Sequence, residues 1–127
     1  MIRWSEEITE LHEFFEDLFN GVVTSLDRVE VALAPDFTIV GPDGGESDRA
    51  ATIAMLAAAR NSRQLDMSTT AHRLLHCSEE MIVASYIEHH HVAEGDTRRL
   101  STALFVPDSD APNGVCWLRV HETWVDF

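Results

Sequence analysis

The N-terminal part of the chain carries apolar residues at the three- and four-residue spacing of an amphipathic helix. Ser5 is a suitable N-cap for this helix, and Asn20–Gly21 ends it after about four turns. A second, shorter helix follows and stops before Pro35. The apolar stripe that predicts the buried face of the first helix consists of Ile8, Leu11, Phe15, Leu18, Phe19 and Val22.

The pattern changes beyond Pro35. Phe37–Val40 is a short apolar run that predicts a strand, Pro42–Gly45 predicts a turn, and Ser47 caps a third helix that extends to about Arg60. Four longer segments then predict strands, at about Gln64–Cys77, Met81–Ala93, Thr97–Val106 and Val115–Phe127. The order α-α-β-α-β-β-β-β predicts an α+β cone, in which about three N-terminal helices pack on a curved antiparallel sheet.

The last predicted strand has no purely polar face. One face holds Leu118, Val120, Glu122, Trp124 and Asp126. The other face holds Trp117, Arg119, His121, Thr123 and Val125. A sheet that helices cover on one side usually presents polar residues on the other. Because Trp117 and Val125 make that second side partly apolar, we expect another copy of the chain to cover it in a homodimer.

Composition limits the classes of function. A chain of 127 residues suits one domain spanning residues 1–127, and its charge of −13 opposes binding to nucleic acid or to an anionic membrane. No apolar run approaches the roughly 20 residues of a membrane helix. The N-terminal segment turns acidic at once, unlike a signal peptide, so a cytoplasmic location is expected. Cys77 and Cys116 lie in apolar segments and are expected to be buried, reduced thiols.

Two groups of side chains are candidates for proton-transfer chemistry. Glu122 shares a face with apolar residues, where desolvation raises the pKa of a carboxyl and prepares it to act as an acid or base. Tyr86, Glu88 and His90 alternate along another strand and therefore share one face. A structural explanation without catalysis stays open for each group. Glu122 pairs with an arginine or lies at a solvated strand end, and Tyr86 packs in the core while Glu88 and His90 face water.

The run His89–His91 resembles a metal site, but alternation along a strand points His90 away from its two neighbours. Two imidazoles on one face fall short of the three or four ligands of a typical transition-metal site. We therefore expect no metal and no organic cofactor. The aromatic residues are expected mainly in the core, with some at the mouth of a pocket; they include Trp4, Phe14, Phe15, Phe19, Phe37 and Trp124.

The order of elements, the segment Ala34–Gly45 and the terminal strand Trp117–Trp124 resemble the nuclear-transport-factor-two-like superfamily over nearly the whole chain. The resemblance is greatest to its SnoaL-like and ketosteroid-isomerase-like branches. It implies a cone closed around an apolar pocket, with a sheet whose outer face forms a dimer. The pocket residues expected on this basis, with Glu122 and His90 as acid/base candidates, are Phe15, Phe37, Tyr86, Val120 and Trp124.

The resemblance does not carry over the isomerase machinery. Ketosteroid isomerases have a general-base Asp where this sequence has Gly41, and a Tyr on the first helix where it has Phe15. Three functions remain open: binding of a small apolar or amphipathic molecule, a cofactor-independent cyclase, isomerase or dehydratase that uses Glu122, and a structural association module. The superfamily hosts all three, so the fold does not choose among them.

Overall fold

The computed structural model describes residues 2–126. It confirms the predicted α+β cone of three helices on a sheet. The elements, in chain order, are α1 (Trp4–Phe19), α2 (Asp27–Ala32), β1 (Leu33–Val40), β2 (Glu46–Asp48), α3 (Arg49–Ala58), β3 (Asp66–Cys77), β4 (Ile82–Val92), β5 (Gly95–Pro107) and β6 (Val115–Val125). Among residues 2–126, no helix is both long enough and apolar enough to cross a bilayer.

The sheet has six strands in the order β2-β1-β6-β5-β4-β3. It is mixed rather than fully antiparallel, because β1 lies parallel to β6 while the other neighbours are antiparallel. A parallel pair needs a long crossover connection, and here β2, α3 and the three strands β3, β4 and β5 separate β1 from β6. The short strand β2, which the sequence pattern did not predict, returns beside the end of β1.

Two of the predicted helix caps are wrong by a few residues. The carboxylate of Asp48 caps α3, accepting a hydrogen bond from the amide of Ala51 at 2.9 Å, while Ser47 belongs to β2. Helix α1 already begins at Trp4, with Arg3 before it. Ser5 is therefore inside the first turn, and its hydroxyl hydrogen-bonds to His72 Nδ1 at 2.7 Å.

A β-bulge in β6 reverses the expected direction of one large side chain. Phe105 pairs with Trp117 and Leu104 pairs with Arg119, so Leu118 is an extra residue opposite the β5 strand. The bulge places Trp117 on the same buried face as Val120 and Glu122. The expectation that Trp117 lies on the outer face was wrong, because simple alternation does not continue across a bulge.

A second irregularity lies in the edge strand β3. Thr70 pairs with Ile87 and Arg73 pairs with Ser85, so two residues of β3 lie opposite the single residue Tyr86 of β4. One of these two residues, Ala71, has a φ of 56°. This bulge brings the ring of His72 to 6.2 Å from the ring of Tyr86.

The two cysteines differ in environment. Cys77 ends the edge strand β3 and is exposed, against the expectation that it is buried, because no further strand covers that side. Cys116 is buried and free, as expected. Its thiol donates to Asp108 Oδ2 at 3.0 Å.

A buried carboxylate joins the N-terminal helix to the rest of the fold. Glu7 of α1 is fully buried. It accepts hydrogen bonds from Arg28 (2.7 and 3.3 Å), from Asn113 (2.9 Å) and from Trp117 Nε1 (2.8 Å). A buried charge is tolerated only when it is paired and hydrogen-bonded in this way. Glu7 therefore fixes α1 against α2, the loop before β6, and β6 itself.

The hydrophobic core lies between the helices and the concave face of the sheet. Helix α1 packs mainly on β3, and α3 packs on β1. The core residues contributed by the strands include Phe37, Met67, Ile82, Ala84, Ala103, Phe105, Val115, Trp117 and Val120. The two helices lie on the same concave face but contact strands at opposite ends of the sheet, and side chains do not fully occupy the space between the helices.

Candidate functional site: a cavity with a charged end

A cavity of about 210 Å³ lies between α1, α3 and the concave face of the sheet. Much of its wall is apolar, and the polar side chains come from α1, β4, β5 and β6, together with Thr52 of α3 and Arg63 from the segment that follows α3. The lining residues are Leu11, His12, Phe15, Phe19, Leu33, Ile39, Thr52, Met55, Leu56, Arg63, Met67, Tyr86, Glu88, His90, Arg99, Trp117, Val120 and Glu122. The cavity is thus amphipathic: apolar side chains line much of it, and charged side chains cluster at one end, which is called the charged end below.

The structure places five of the seven predicted site residues in this wall: Phe15, Tyr86, His90, Val120 and Glu122. Phe37 is instead buried in the core, outside the cavity wall. Trp124 shares the face of Glu122 but lies nearer the strand end, where it is 45% exposed and also outside the wall. Its indole Nε1 donates to Asp43 Oδ1 at 2.9 Å, which holds the ring against the turn after β1.

His12 and Glu88 form a buried pair that connects α1 to β4. His12 Nδ1 lies 2.7 Å from the carbonyl oxygen of Ile8, so this nitrogen must carry a proton and donate it. His12 Nε2 lies 2.9 Å from Glu88 Oε1. Because both ring nitrogens face acceptors, the geometry favours an imidazolium paired with a carboxylate.

The pKa shifts agree with that assignment. Burial alone lowers the pKa of His12, but the charge and hydrogen bond of Glu88 outweigh it and leave the pKa raised. Burial alone raises the pKa of Glu88, but the two histidines outweigh it and leave the pKa well below its ordinary value. Each partner therefore favours the charged form of the other.

Glu88 also contacts the second imidazole of the site. Its Oε2 accepts a hydrogen bond from His90 Nε2, two residues further along the same face of β4. With Nε2 donating, the neutral ring of His90 carries its lone pair on Nδ1. Glu88 thereby holds two histidines at the charged end of the cavity.

Arg99 on β5 lies between the two carboxylates of the site. Its Nη1 donates to Glu122 Oε1 at a long 3.4 Å, and its Nε is 3.9 Å from Glu88 Oε2. The guanidinium carbon stands 4.9 Å from the centroid of the Trp124 ring, within the range of a cation–π contact. Trp124 thus forms a platform for Arg99 beyond the cavity wall.

Glu122 on β6 is only 8% exposed. Burial and the nearby charge of Glu88 raise its pKa to about 7, although Arg99 partly counteracts them. This carboxyl therefore gains and loses its proton near neutral pH. Glu122 is therefore both desolvated, as predicted, and in contact with an arginine, which was the alternative interpretation.

The other histidines do not join the site. His89 hydrogen-bonds to Thr70 at 2.7 Å and His91 to Asp96, and both side chains lie on the other side of β4 from His90. Within residues 2–126, no group of three His, Cys, Asp or Glu side chains has the geometry to hold a metal ion. Around Glu88, the two imidazoles bind separate oxygens of one carboxylate.

Several proteins of known structure resemble this chain in fold. No protein-family profile matches the chain, and no curated protein matches it. An NTF2-like protein of unknown function from Pseudomonas aeruginosa superposes with a TM-score of 0.87 at 24% identity, covering 97% of this chain and 98% of that one. A CaMKII hub from S. rosetta gives a TM-score of 0.72 at 14% identity, covering 94% and 95%. A ketosteroid-isomerase-like protein from Shewanella frigidimarina gives 0.58 at 15% identity, covering 75% and 78%.

The chain has the nuclear-transport-factor-two-like (NTF2-like) fold. The resemblance predicted from the sequence is therefore confirmed at the level of the fold. The neighbours of this NTF2-like chain include a kinase hub, an isomerase-like protein and a protein of unknown function, so their similarity selects no activity.

Two residues of the site were missed from the sequence. His12 follows Ile8 by four positions and thus lies on the apolar stripe of α1, a signal that a polar group is buried there. Arg99 lies in the site because it is the residue of β5 that pairs with Glu88 on β4 and with Trp124 on β6. That register depends on tertiary pairing, which the sequence pattern does not reveal.

The raised pKa of Glu122 predicts how the stability of the domain depends on pH. Between an unfolded pKa of 4.5 and a folded pKa of about 7, the native state binds more protons than the unfolded state. Stability therefore falls as the pH rises through this window. We expect Glu122→Gln to match the wild type at pH 5 and to exceed its free energy of unfolding by about 2–3 kcal/mol at pH 8.5.

Urea denaturation of both proteins at the two pH values measures this difference. Glu94→Gln, in the exposed β4–β5 turn, is the matched control and should show no such change between the two pH values. An effect of Glu122→Gln that is equal at pH 5 and pH 8.5 would contradict the raised pKa.

Proposed function

We propose that this domain binds a small amphipathic molecule about the size of one ring in its cavity. The observation that carries the proposal is the amphipathic wall: apolar side chains surround most of the space, while His90, Arg99 and Glu122 occupy one end. Ligand sites are typically apolar concavities with a few converging polar groups that fix the orientation of the ligand.

The volume of the cavity limits the ligand. A cavity of about 150 Å³ holds benzene, and sites for drug-sized molecules start at about 300 Å³. The 210 Å³ found here fits one ring with a short substituent and is too small for a four-ring sterol. The size of the site thus supports a ligand different from a steroid, in line with Gly41 and Phe15 at the positions of the isomerase residues.

A side chain at the cavity wall offers a direct test of binding. Met55 lines the cavity from α3 but is 56% exposed, so a larger residue there can be accommodated without disturbing the core. We expect Met55→Trp to obstruct the cavity and to weaken binding of one-ring probes, such as phenylacetate and phenylacetamide, at least about tenfold.

The matched control is Ala54→Trp, which adds the same ring to the preceding exposed position of α3, outside the cavity wall. Binding is measured by calorimetry and by amide chemical shifts of the cavity residues. Equal weakening by both variants, or shifts confined to residues outside the cavity, would count against a ligand in this space.

A second candidate function is proton transfer to or from the bound molecule. Glu122 favours it, because a buried carboxyl with a pKa of about 7 can serve as acid or base at neutral pH. His90, whose Nδ1 lone pair is left available by the contact with Glu88, would be the complementary group. The chemistry consistent with these groups is enolisation next to a carbonyl, with no need for an organic cofactor.

Deuterium exchange tests this candidate without knowledge of the natural substrate. In D₂O, the protein should catalyse exchange of the hydrogens next to the carbonyl group of a one-ring ketone such as acetophenone, as followed by proton NMR. Glu122→Gln should slow the catalysed exchange by about 10²- to 10⁴-fold. An unchanged rate in that variant would remove Glu122 from the proposed role.

We also propose that the domain forms a homodimer through the outer face of its sheet. Leu100 of β5 is 42% exposed there, opposite Ile87 of β4, and Leu104 follows on the same face. A shallow groove along this face is bordered by Leu100, Thr102, Leu104, Arg119, His121 and Thr123. Apolar side chains on an uncovered sheet face are typical of an interface between subunits.

Sedimentation velocity tests the dimer. Leu100→Glu places a charge in the proposed interface and should convert a dimer of the wild-type chain into a monomer. Val31→Glu, at an equally exposed apolar position on α2, is the control and should remain dimeric. A monomeric wild-type protein at micromolar concentration would overturn the proposal.

The third function, an association module without a ligand, is less favoured because the side chains leave the cavity unfilled. It would gain support if no probe entered the cavity while the oligomer persisted. The cytoplasmic location remains a prediction from the sequence.

A further inference from the structure

We infer that the ligand carries one carboxylate group, that Arg99 binds this group, and that Glu122 takes up a proton when the ligand binds. This inference rests on the proposed ligand-binding function and specifies the chemical class of the ligand. It follows from the incomplete hydrogen bonding of Arg99, from the charges of the groups around it at the charged end, and from the size of the cavity.

Arg99 is held in place but is not satisfied. Its side chain is 18% exposed, and its buried Nε has no hydrogen-bond acceptor among the described residues. The contacts with Glu122 at 3.4 Å and Glu88 at 3.9 Å are longer than the 2.7–2.9 Å of a strong arginine–carboxylate bond. An unsatisfied buried donor is unfavourable, so a further acceptor at this position would be stabilised.

The shape of the guanidinium selects the kind of acceptor. Its planar set of N–H donors matches the two oxygens of a carboxylate better than a single carbonyl oxygen. The Trp124 ring, 4.9 Å from the guanidinium carbon, restrains the orientation of that plane. Arg99 is therefore oriented before the ligand arrives, which reduces the entropy lost on binding.

The charges that face this end come from four elements. α1 contributes His12, β4 contributes Tyr86, Glu88 and His90, β5 contributes Arg99, and β6 contributes Glu122. α3 and β1 contribute only uncharged residues to the wall, and Arg63 lies at the other side, over the Phe19 ring at 5.2 Å.

Counting these charges distinguishes an anionic from a cationic ligand. His12 and Arg99 carry one positive charge each, and Glu88 carries one negative charge. With His90 uncharged and Glu122 ionised the group is neutral, and with Glu122 protonated it has one excess positive charge; a proton on His90 would add one further positive charge in either case. A ligand anion therefore complements the protonated state, whereas a ligand cation adds to a group that is neutral or already positive.

The proton on Glu122 completes the set of hydrogen bonds. In the complex, the N–H groups of Arg99 donate to both oxygens of the ligand carboxylate, and the O–H of Glu122 donates to a remaining lone pair of one of these oxygens. The proton comes from solvent, and no covalent bond of the ligand changes. Because the pKa of Glu122 is already raised to about 7, this protonation requires little free energy at neutral pH.

The chain's overall charge of −13 does not prevent this binding. At physiological ionic strength the Debye length is about 8 Å, so exposed acidic residues farther away are screened. The groups inside the cavity interact at shorter range and in a lower dielectric. The apolar wall then receives the remainder of the ligand, for which a benzene-sized ring is the right volume.

Calorimetry with three probes of similar size but different charge tests the inference: phenylacetate, phenylacetamide and phenethylamine. At pH 6.5 we expect phenylacetate to bind at least about tenfold more tightly than the amide, and the amine to bind weakest. Titration in two buffers with different ionisation enthalpies should show uptake of close to one proton at pH 8.5 and close to none at pH 5.5. Above pH 7 the affinity for phenylacetate should fall about tenfold per pH unit.

Three variants assign the effects to residues. Arg99→Gln should abolish the preference for phenylacetate over the amide. Arg98→Gln, at the adjacent position on the opposite face of β5, is the matched control and should retain it. Glu122→Gln should still bind phenylacetate but lose both the proton uptake and the decline in affinity above pH 7. Because this result does not involve the Arg99 variant, the inference can be tested even if Arg99→Gln does not fold.

The outcomes separate the inference from the proposed function. If the amide binds as well as phenylacetate, or if phenylacetate binds without proton uptake at pH 8.5, the inference is wrong while binding in the cavity stands. If none of the three probes binds, both the inference and the proposed one-ring ligand are overturned.

Discussion

The pairing of His12 with Glu88 is the constraint on which the site depends. A carboxylate buried inside a protein requires a partner, and the imidazolium of His12 reaches it from a different element. This pair holds α1 over β4, and Glu7 holds the beginning of the same helix against β6. Two buried carboxylates thus fix α1 where it packs against β3, and the cavity lies beside the helix.

The buried carboxylates of Glu7 and Glu88 differ in their hydrogen-bond partners and in their position relative to the cavity. Glu7 accepts four hydrogen bonds from three residues and lies outside the cavity wall. Glu88 faces the cavity, where it contacts His90 and lies near Arg99, whose buried Nε has no hydrogen-bond acceptor among residues 2–126. The first carboxylate completes the packing of the fold, whereas the second fixes the positions of polar groups at the cavity wall.

The sequence predicted those features that depend on local spacing. The helical and alternating patterns indicated the helices and the four long strands, and alternation alone placed Glu88 beside His90 on one face. The prediction for Trp117 was wrong, because the bulge at Leu118 turns this side chain inward. Alternation also gave no sign of the bulge at Ala71, which brings His72 towards Tyr86. Contacts between separate elements, such as those of His12 and Arg99, follow from register and helix placement, which one sequence does not specify.

The cavity also has an energetic consequence for the whole domain. An empty space in a core costs about 24 cal/mol per Å³, so 210 Å³ corresponds to at most about 5 kcal/mol, less if water occupies the charged end. Domains of this size are stable by only about 5–15 kcal/mol, which makes that cost a large fraction of the total. A bound molecule that fills the space restores apolar contacts along its ring and satisfies the donors of Arg99 at its polar end. If the proposed ligand binds here, its binding is coupled to folding, because a molecule that binds only the native state stabilises it and fills the volume that weakens the free domain.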